Sequence, residues 1–524
     1  MIDIAELKEP GEDAFLRRIA LHASQRPSAI AFTCNGADVT WGEFHAEVLR
    51  IGARLRRAGL RLGERVAFLA ENSASYAVAF VGAAASGVSA VTLPTSLTPH
   101  SIAAMLDDSR PRLLIASRAC RALAERALEA RKNSAAIEKV GLDFAAGPWQ
   151  GYVQWLGSAA PEPAHDDVPG DTEFNVVYSS GTTGIPKGIA HTHLSRLAFS
   201  KAFAGLGFDE AATNVIATPL YSNMSIPPLL SQVWAGARSL ILEKFDPESF
   251  IAAADKYDVT HFVLVPTMAE RVLASPAFRS EAFRATRMIY VGGSPVTPQL
   301  KTALTSRWPG MLIVAYGQTE GGLWTLQFEY GEEAKLGSVG RAVKGCEIVI
   351  VDEDGRVLGP DAIGEIVGRM PYMMTGYINK PEETEKITWR DGRGRLFYKT
   401  GDVGRLDRDG YLYVLDRKKD IIISGGFNIY ASDLEEVVRT HAAVFDAAVI
   451  GIPSQRWGET PIALVTLRPG ARATPEAIRA WSNERLGKVQ RLSAVVIVED
   501  LPRNPTGKIL KAELRNKYKD YELE

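Results

Sequence analysis

The densest run of chemistry-bearing residues is YSSGTTGIPKG, Tyr178 to Gly188, directly after the apolar stretch FNVV. Ser179, Ser180, Thr182 and Thr183 offer hydroxyls, and Lys187 adds a positive charge. Gly181 and Gly184 let backbone N–H groups turn toward a guest, so the run is equipped to wrap a polyphosphate. Its lysine follows Pro186 and precedes Gly188, which departs from the G-x-x-x-x-G-K-[ST] nucleotide loop. Taken alone, such a stretch also reads as a solvated loop.

Other segments add to it. In YGQTE, Tyr316 to Glu320, the motif follows the strand-like MLIVA, where an α/β sheet places its ligand-binding residues. The Glu320 carboxylate suits Mg²⁺ and the Thr319 hydroxyl suits a phosphate oxygen. Asp402, in YKTGD, presents a carboxylate to a ribose diol, and Arg417 is fitted to grip a sugar or phosphate. Lys508, in PRNPTGK, sits on a Gly-containing loop that can bring a mobile ammonium into a closed site. Each segment by itself also reads as a surface turn. The Asp-rich runs ending at Gly355 and Gly410 lack the distal Glu of a calcium loop and are expected to be hairpin turns.

The elements that must position these residues are legible as short apolar runs. After an amphipathic start with an Asn35-Gly36 hairpin turn come RVAFLA, VSAVTL, PRLLIAS, FNVVYSS, NVIATP, ARSLILE, THFVLVP, TRMIYVGG and MLIVAYG, most of them separated by helical stretches. That alternation predicts parallel sheets covered on both faces. Beyond about Lys335, alternating strands joined by Asp-Gly turns predict antiparallel structure. A charged cluster at Asp416–Asp420 marks a boundary, after which 417–524 reads as an α+β domain of ordinary size. There, Ser432-Asp433-Leu434-Glu435 is expected to open a helix as a capping box.

Tyr76–Pro94, YAVAFVGAAASGVSAVTLP, is uncharged and long enough to cross a bilayer. Its Ala and Ser content, the central Gly87 and the β-branched cluster Val88, Val91 and Thr92 instead predict a buried helix turning into a buried strand. No stable membrane insertion is expected.

The 524 residues correspond to three or four domain-sized units of ordinary globular composition. Lys and Arg number 60 against 62 Asp and Glu, a net charge of −2, which argues against capture of nucleic acid or of an anionic membrane. Three scattered cysteines make no disulfide framework, and no signal-peptide pattern follows Met1, so a cytoplasmic location is expected.

In order along nearly the whole chain, RVAFLAENSASYAVAFVGAAASG, SSGTTGIPKG, YGQTE, YKTGD, DRKKDIIISGGFNIY and NPTGK resemble the adenylate-forming superfamily of acyl-CoA synthetases, aryl-CoA ligases, luciferases and peptide-synthetase adenylation domains. The resemblance implies an α/β N-terminal domain, 1–416, with two parallel-rich sheets sandwiched by helices plus a small β-barrel-like part. A small mobile α+β C-terminal domain, 417–524, would follow a hinge near 416–420. By the same resemblance the 179–188 loop covers the β- and γ-phosphates of ATP, with Thr183 near Mg²⁺. Gly292, Gly293 and Ser294 line adenine, Tyr316 and Gly317 belong to the nucleotide site with Tyr316 stacking on the base, and Thr319 touches the α-phosphate. Glu320 holds Mg²⁺, Asp402 and Arg417 bind the ribose hydroxyls, and Lys508 bridges the acid and the α-phosphate during adenylation. The small domain is implied to turn about Lys419 for the second step. Ser424, Gly425, Gly426 and Phe427 then wall a coenzyme A tunnel, which Trp457 also contacts.

Two departures from the family pattern stand out. Ser222 occupies the place of a common His in the Pro-Leu-Tyr-His segment, and Ala431 replaces a usual Pro. The acid pocket is expected to draw on Tyr221, Met224, Leu323 and Trp324. Ala315, rather than an Arg, precedes Tyr316, which disfavours a dicarboxylate and favours an uncharged aromatic or medium-chain aliphatic acid. The expected activity is ATP-dependent ligation of that small-molecule acid to coenzyme A. Loading of a carrier-protein phosphopantetheine is the alternative, and a homodimer is allowed.

Overall fold

The computed structural model describes residues 11, 14–157, 168–178, 186–371, 373–503 and 507–521. The expected strands form, and they sort into four sheets. A nine-stranded sheet runs Arg341–Ala342, Trp324–Gln327, Met311–Gly317, Met288–Val291, His261–Leu264, Thr213–Ile216, Arg238–Ile241, Ile30–Cys34, Ala37–Thr40. Its middle is parallel and antiparallel strands close both edges. The parallel strands are buried along nearly their whole lengths, as their unbroken apolar sequences require.

An eight-stranded sheet runs Gly376–Tyr377, Gly188–Thr192, Glu173–Tyr178, Ser89–Thr92, Arg65–Leu69, Leu113–Ala116, Glu138–Gly141, Gln150–Gly151. The uncharged segment resolves here. Ala74–Ala85 is a helix capped by Ser73, and Ser89–Thr92 is a fully buried strand between two parallel neighbours. Among the described residues no helix is long and apolar enough to cross a membrane.

The antiparallel region also forms as expected. Glu347–Val351, Gly364–Arg369, Leu396–Leu406, Thr388–Arg390 and Leu412–Arg417 make one sheet. Both Asp-Gly runs are turns, closed by hydrogen bonds from Gly355 N to Asp352 O and from Gly410 N to Asp407 O. In the tail, the long hairpin of Val444–Ser454 and Gly458–Leu467 carries Ala494–Ile497 in parallel and a second, short hairpin, Ile422–Ser424 with Phe427–Ile429. One expectation is corrected. The helix opens at Ala431, with Tyr430 at the cap position and no side-chain cap of its own, so Ser432 lies inside the first turn. Its hydroxyl donates instead to the Leu415 carbonyl. A tertiary partner has displaced the local capping box.

By contacts the chain forms two compact units: residues up to Glu347 with Arg369–Thr388, and Ile348–Gly368 with Trp389 onwards. The antiparallel sheet before Asp416 therefore groups with the tail.

The core beneath the nine-stranded sheet is aromatic. Phe262 packs edge-on to Phe283 and Trp308, with centroids 5.6 and 5.2 Å away, and none of the three is more than 2% exposed. Phe262→Ala is expected to cost about 3–5 kcal/mol, read as a lowered denaturant midpoint at unchanged m-value.

Candidate active site

The carboxyl ends of parallel strands in the nine-stranded sheet carry three of the expected segments. Met288–Val291 runs into Gly292 and Gly293, Met311–Gly317 closes on Tyr316 and Gly317, and Thr213–Ile216 leads to Tyr221–Met224. A Cβ on Gly292 would sit 2.9 Å from the Ala315 carbonyl oxygen, so only glycine lets these two strand ends lie this close. Gly293 has φ +83°, and a Cβ there would lie 3.3 Å from the Met224 sulfur. Ser294 follows on the same exit, half-buried.

Just beyond Tyr316 and the exposed Gly317, the Glu320 carboxylate accepts a 2.7 Å hydrogen bond from the Tyr377 hydroxyl, and Met374 N donates to the Glu320 carbonyl. Thr319 meets His191 through its backbone; burial pulls His191 well below the ordinary imidazole range, so it is neutral. Tyr377 stands on the short strand that pairs with Gly188–Thr192, and the Lys187 ammonium lies 4.9 Å from its ring centroid. Lys187 also pairs with Glu383 at 2.7 Å. Hydrogen bonds from Lys187 and Lys386 pull the Glu383 carboxyl down to about 2. Ser179, Ser180, Gly181, Thr182, Thr183 and Gly184 lie outside the described residues.

Of the expected acid-pocket residues, Met224 abuts Gly293. The buried Tyr221 reaches the hydroxyls of Thr95 and Ser96. Leu323 and Trp324 are 2% and 3% exposed, and the Trp324 indole donates to the Tyr290 hydroxyl at 3.1 Å within an aromatic group that includes Phe199 and Phe203. Ser222 is buried, and its hydroxyl accepts from Met224 N.

The other unit carries a second set. Asp402 and Arg417 are paired across two antiparallel strands, with Nε 3.2 Å from the buried Asp402 carboxylate. The positive φ of Gly401, +69°, and a hydrogen bond from Asp402 N to the Thr400 hydroxyl hold that carboxylate in place. Lys508 comes within electrostatic reach of Asp402, Asp420, Arg417 and Lys419. Burial first, and Arg417 second, lower its ammonium to about 8. Lys419 sits in the short 3₁₀ turn Lys418–Asp420. Gly425 and Gly426, with φ of +58° and +83°, turn the hairpin between Ser424 and Phe427. Gly425 N donates to the Trp457 carbonyl at 2.8 Å, and a Cβ on Gly425 would meet the indole at 3.0 Å. Phe427 and Trp457 are both about half exposed.

Sequence reasoning missed Tyr377, Glu383, His191 and Arg196. Fully buried, Arg196 donates to Asn175 and Asn223 at 2.7 and 2.9 Å and so braces the residue before Met224. Burial lowers its guanidinium to about 9. No local motif announces these residues, because their partners are distant in sequence.

Comparison with known proteins assigns the class. A family model described as AMP-binding enzyme matches residues 19–378, and one described as AMP-binding enzyme C-terminal domain matches 433–508. The chain belongs to the AMP-binding, adenylate-forming family. It is 31% identical to 4-coumarate–CoA ligase 3 of Oryza sativa subsp. japonica over 92% of this chain and 87% of that one. It is 30% identical to the fatty acid–[acyl-carrier-protein] ligase ScoC of Streptomyces coeruleorubidus over 98% of each. ATP-bound MatB from Rhodopseudomonas palustris superposes with a TM-score of 0.87 at 27% identity, covering 96% of this chain and 99% of that one. Within the family, the protein is an AMP-forming acid–CoA ligase.

Such ligases use ATP, coenzyme A and Mg²⁺. Among the described residues no group of three or more His, Cys, Asp or Glu is placed to hold a metal, and Glu320 is a single carboxylate. That fits Mg²⁺, which takes one or two carboxylates and fills its other positions with phosphate oxygens and water. When bound, the ion neutralises phosphate charge.

The lowered Lys508 ammonium yields a direct measurement. Its neutral amine should appear as pH rises through about 8, below the range of a solvent-exposed lysine. Competitive amine labelling with peptide mapping is expected to find Lys508 titrating there.

Proposed function

We propose that the protein joins an uncharged aromatic or medium-chain aliphatic acid to coenzyme A in two half-reactions, through an acyl-adenylate, with Lys508 serving only the first. A carboxylate oxygen attacks the α-phosphorus of ATP and pyrophosphate leaves; a thiol then attacks the acyl carbonyl and AMP leaves. The single observation carrying this reading is the Lys508 ammonium beside Asp402 and Arg417. A half-buried, partly desolvated cation is what the approach of two anions requires. In the same reading Thr319 and Lys187 receive phosphate oxygens, with Lys187 exchanging Glu383 for phosphate. Tyr316 stacks on adenine beside Gly292–Ser294, and Asp402 and Arg417 take the ribose.

For the acid, support comes from Met224 against Gly293, with Val265 Cγ1 3.6 Å from where a Cβ on Gly293 would lie, an apolar corner at the strand ends. For the second half-reaction, the body 417–524 turns about Lys419, Lys508 withdraws, and Gly425, Gly426, Phe427 and Trp457 wall the thiol's path. Half-exposed Phe427 and Trp457 beside two left-handed glycines support that role. The carrier-protein alternative draws on the similarity to ScoC. An acceptor assay with coenzyme A against a phosphopantetheinylated carrier separates the two.

Lys508→Ala should abolish acid-dependent ATP–pyrophosphate exchange nearly completely while leaving thioester formation from a supplied acyl-adenylate largely intact. An equal loss in both would refute the division. In the wild type, exchange should decline as pH rises through about 8, where the lysine loses its charge. Lys419→Pro should spare exchange and slow thioester formation, and unchanged overall turnover would refute the hinge.

A further inference from the structure

The helix Ala431–Arg439 begins without a cap from its own residues. The first amides of any helix lack intrahelical acceptors and carry partial positive charge, so an uncapped start is costly unless a neighbour supplies an oxygen. Here the neighbour is Asp416, fifteen positions upstream of Ala431 and on the other side of Lys419. One Asp416 carboxylate oxygen accepts from Ser432 N at 3.2 Å and the other from Arg417 N at 2.7 Å. The Ser432 hydroxyl reinforces the join by donating to the Leu415 carbonyl.

The same carboxylate lies within electrostatic reach of Lys511, three residues past Lys508 and at the start of the helix Lys511–Tyr518. Lys511 itself pairs with Glu435 at 2.7 Å, and Glu435 belongs to the helix that Asp416 caps. One buried acid on the strand side of Lys419 thus bonds the helix that opens the C-terminal body and lies within electrostatic reach of the segment that follows Lys508. Asp416 is 9% exposed, and its desolvation raises the carboxyl above the ordinary aspartate value. The capping and the lysine offset that cost only while these partners stay in place.

We propose that Asp416 is a positioning residue for the first half-reaction: by capping Ala431–Arg439 across Lys419 and facing Lys511, it latches the arrangement in which Lys508 stands beside Asp402. The inference rests on the two-half-reaction reading above. Turning about Lys419 parts Asp416 from Ser432 and Lys511. The Lys511–Glu435 pair, lying wholly within the turning body, is kept. Opening therefore breaks one cap and returns one acid to water, a modest and reversible barrier. The latch biases the protein toward adenylation without locking it there.

The test compares the two half-reactions in one preparation, so that their ratio is independent of the fraction folded. In Asp416→Ala, ATP–pyrophosphate exchange should fall about tenfold, the size of a lost charged helix cap. Thioester formation from supplied acyl-adenylate should hold or rise. Asp416→Asn keeps an acceptor oxygen and should recover part of the exchange. Ser432→Ala, a surface-compatible change that loses only the hydroxyl bond to Leu415, should shift the ratio in the same direction by a few-fold. Equal losses in both half-reactions, or a larger loss in the second, in both Asp416→Ala and Ser432→Ala would overturn the latch. If Lys508→Ala is selective for exchange and Asp416→Ala is not, the latch alone fails. If Lys508→Ala is not selective either, the two-step reading fails with it.

Discussion

Adenylation brings a carboxylate against a polyphosphate, and like charges must be brought close together. In the proposed reading, the cations that relieve this repulsion are mostly held by carboxylates already. Glu383 holds Lys187, Asp402 holds Arg417, and Asp402 with Asp420 offsets part of the desolvation of Lys508. In that reading a cation kept in place this way exchanges one partner for another when the anions arrive, so little new ordering is needed. Arg196 differs: it is buried on amide oxygens, and desolvation alone lowers its guanidinium to about 9. It braces Asn223 within the fold.

Backbone geometry does the rest of the positioning. Parallel strands end at one edge of the nine-stranded sheet, and the absence of a Cβ at Gly292 lets the strand ends at 291 and 315 run against each other. Tyr377 connects this edge to the eight-stranded sheet. Its backbone pairs with Ile189, its hydroxyl donates to Glu320, and its ring underlies Lys187. The acid at position 320 and the cation at 187 are therefore spaced by one side chain.

Much of this was legible in the sequence, for a physical reason. Parallel strands buried on both faces must be continuous apolar runs, so RVAFL, LLIA, HFVL and MIYV announce themselves, and glycine-rich strand exits announce a ligand edge. The helix Pro475–Asn483 opened at Thr474 as its local pattern requires. What stayed hidden is what long-range pairing decides. Tyr377 reaches Glu320 across 57 positions and Lys187 reaches Glu383 across 196, with nothing local to mark either. The capping-box reading at Ser432 failed for the same reason, since an oxygen from Asp416 outcompeted the local one. The grouping of the antiparallel sheet with the tail is likewise a matter of contacts that no composition change records.

The buried strand Ser89–Thr92 has a further consequence, for how the chain is made. It pairs with Arg65–Leu69 on one side and with Glu173–Tyr178 on the other. The first partner precedes it from the ribosome, but the second follows only ~80 residues later, a delay of several seconds at about 5–20 residues per second. During that interval the most apolar stretch of the nascent protein has one bare strand edge and an alanine-rich helix with an incomplete cover. Unpaired edges of this kind template aggregation, so Ser73–Thr92 is where a chaperone would have most to shield during synthesis.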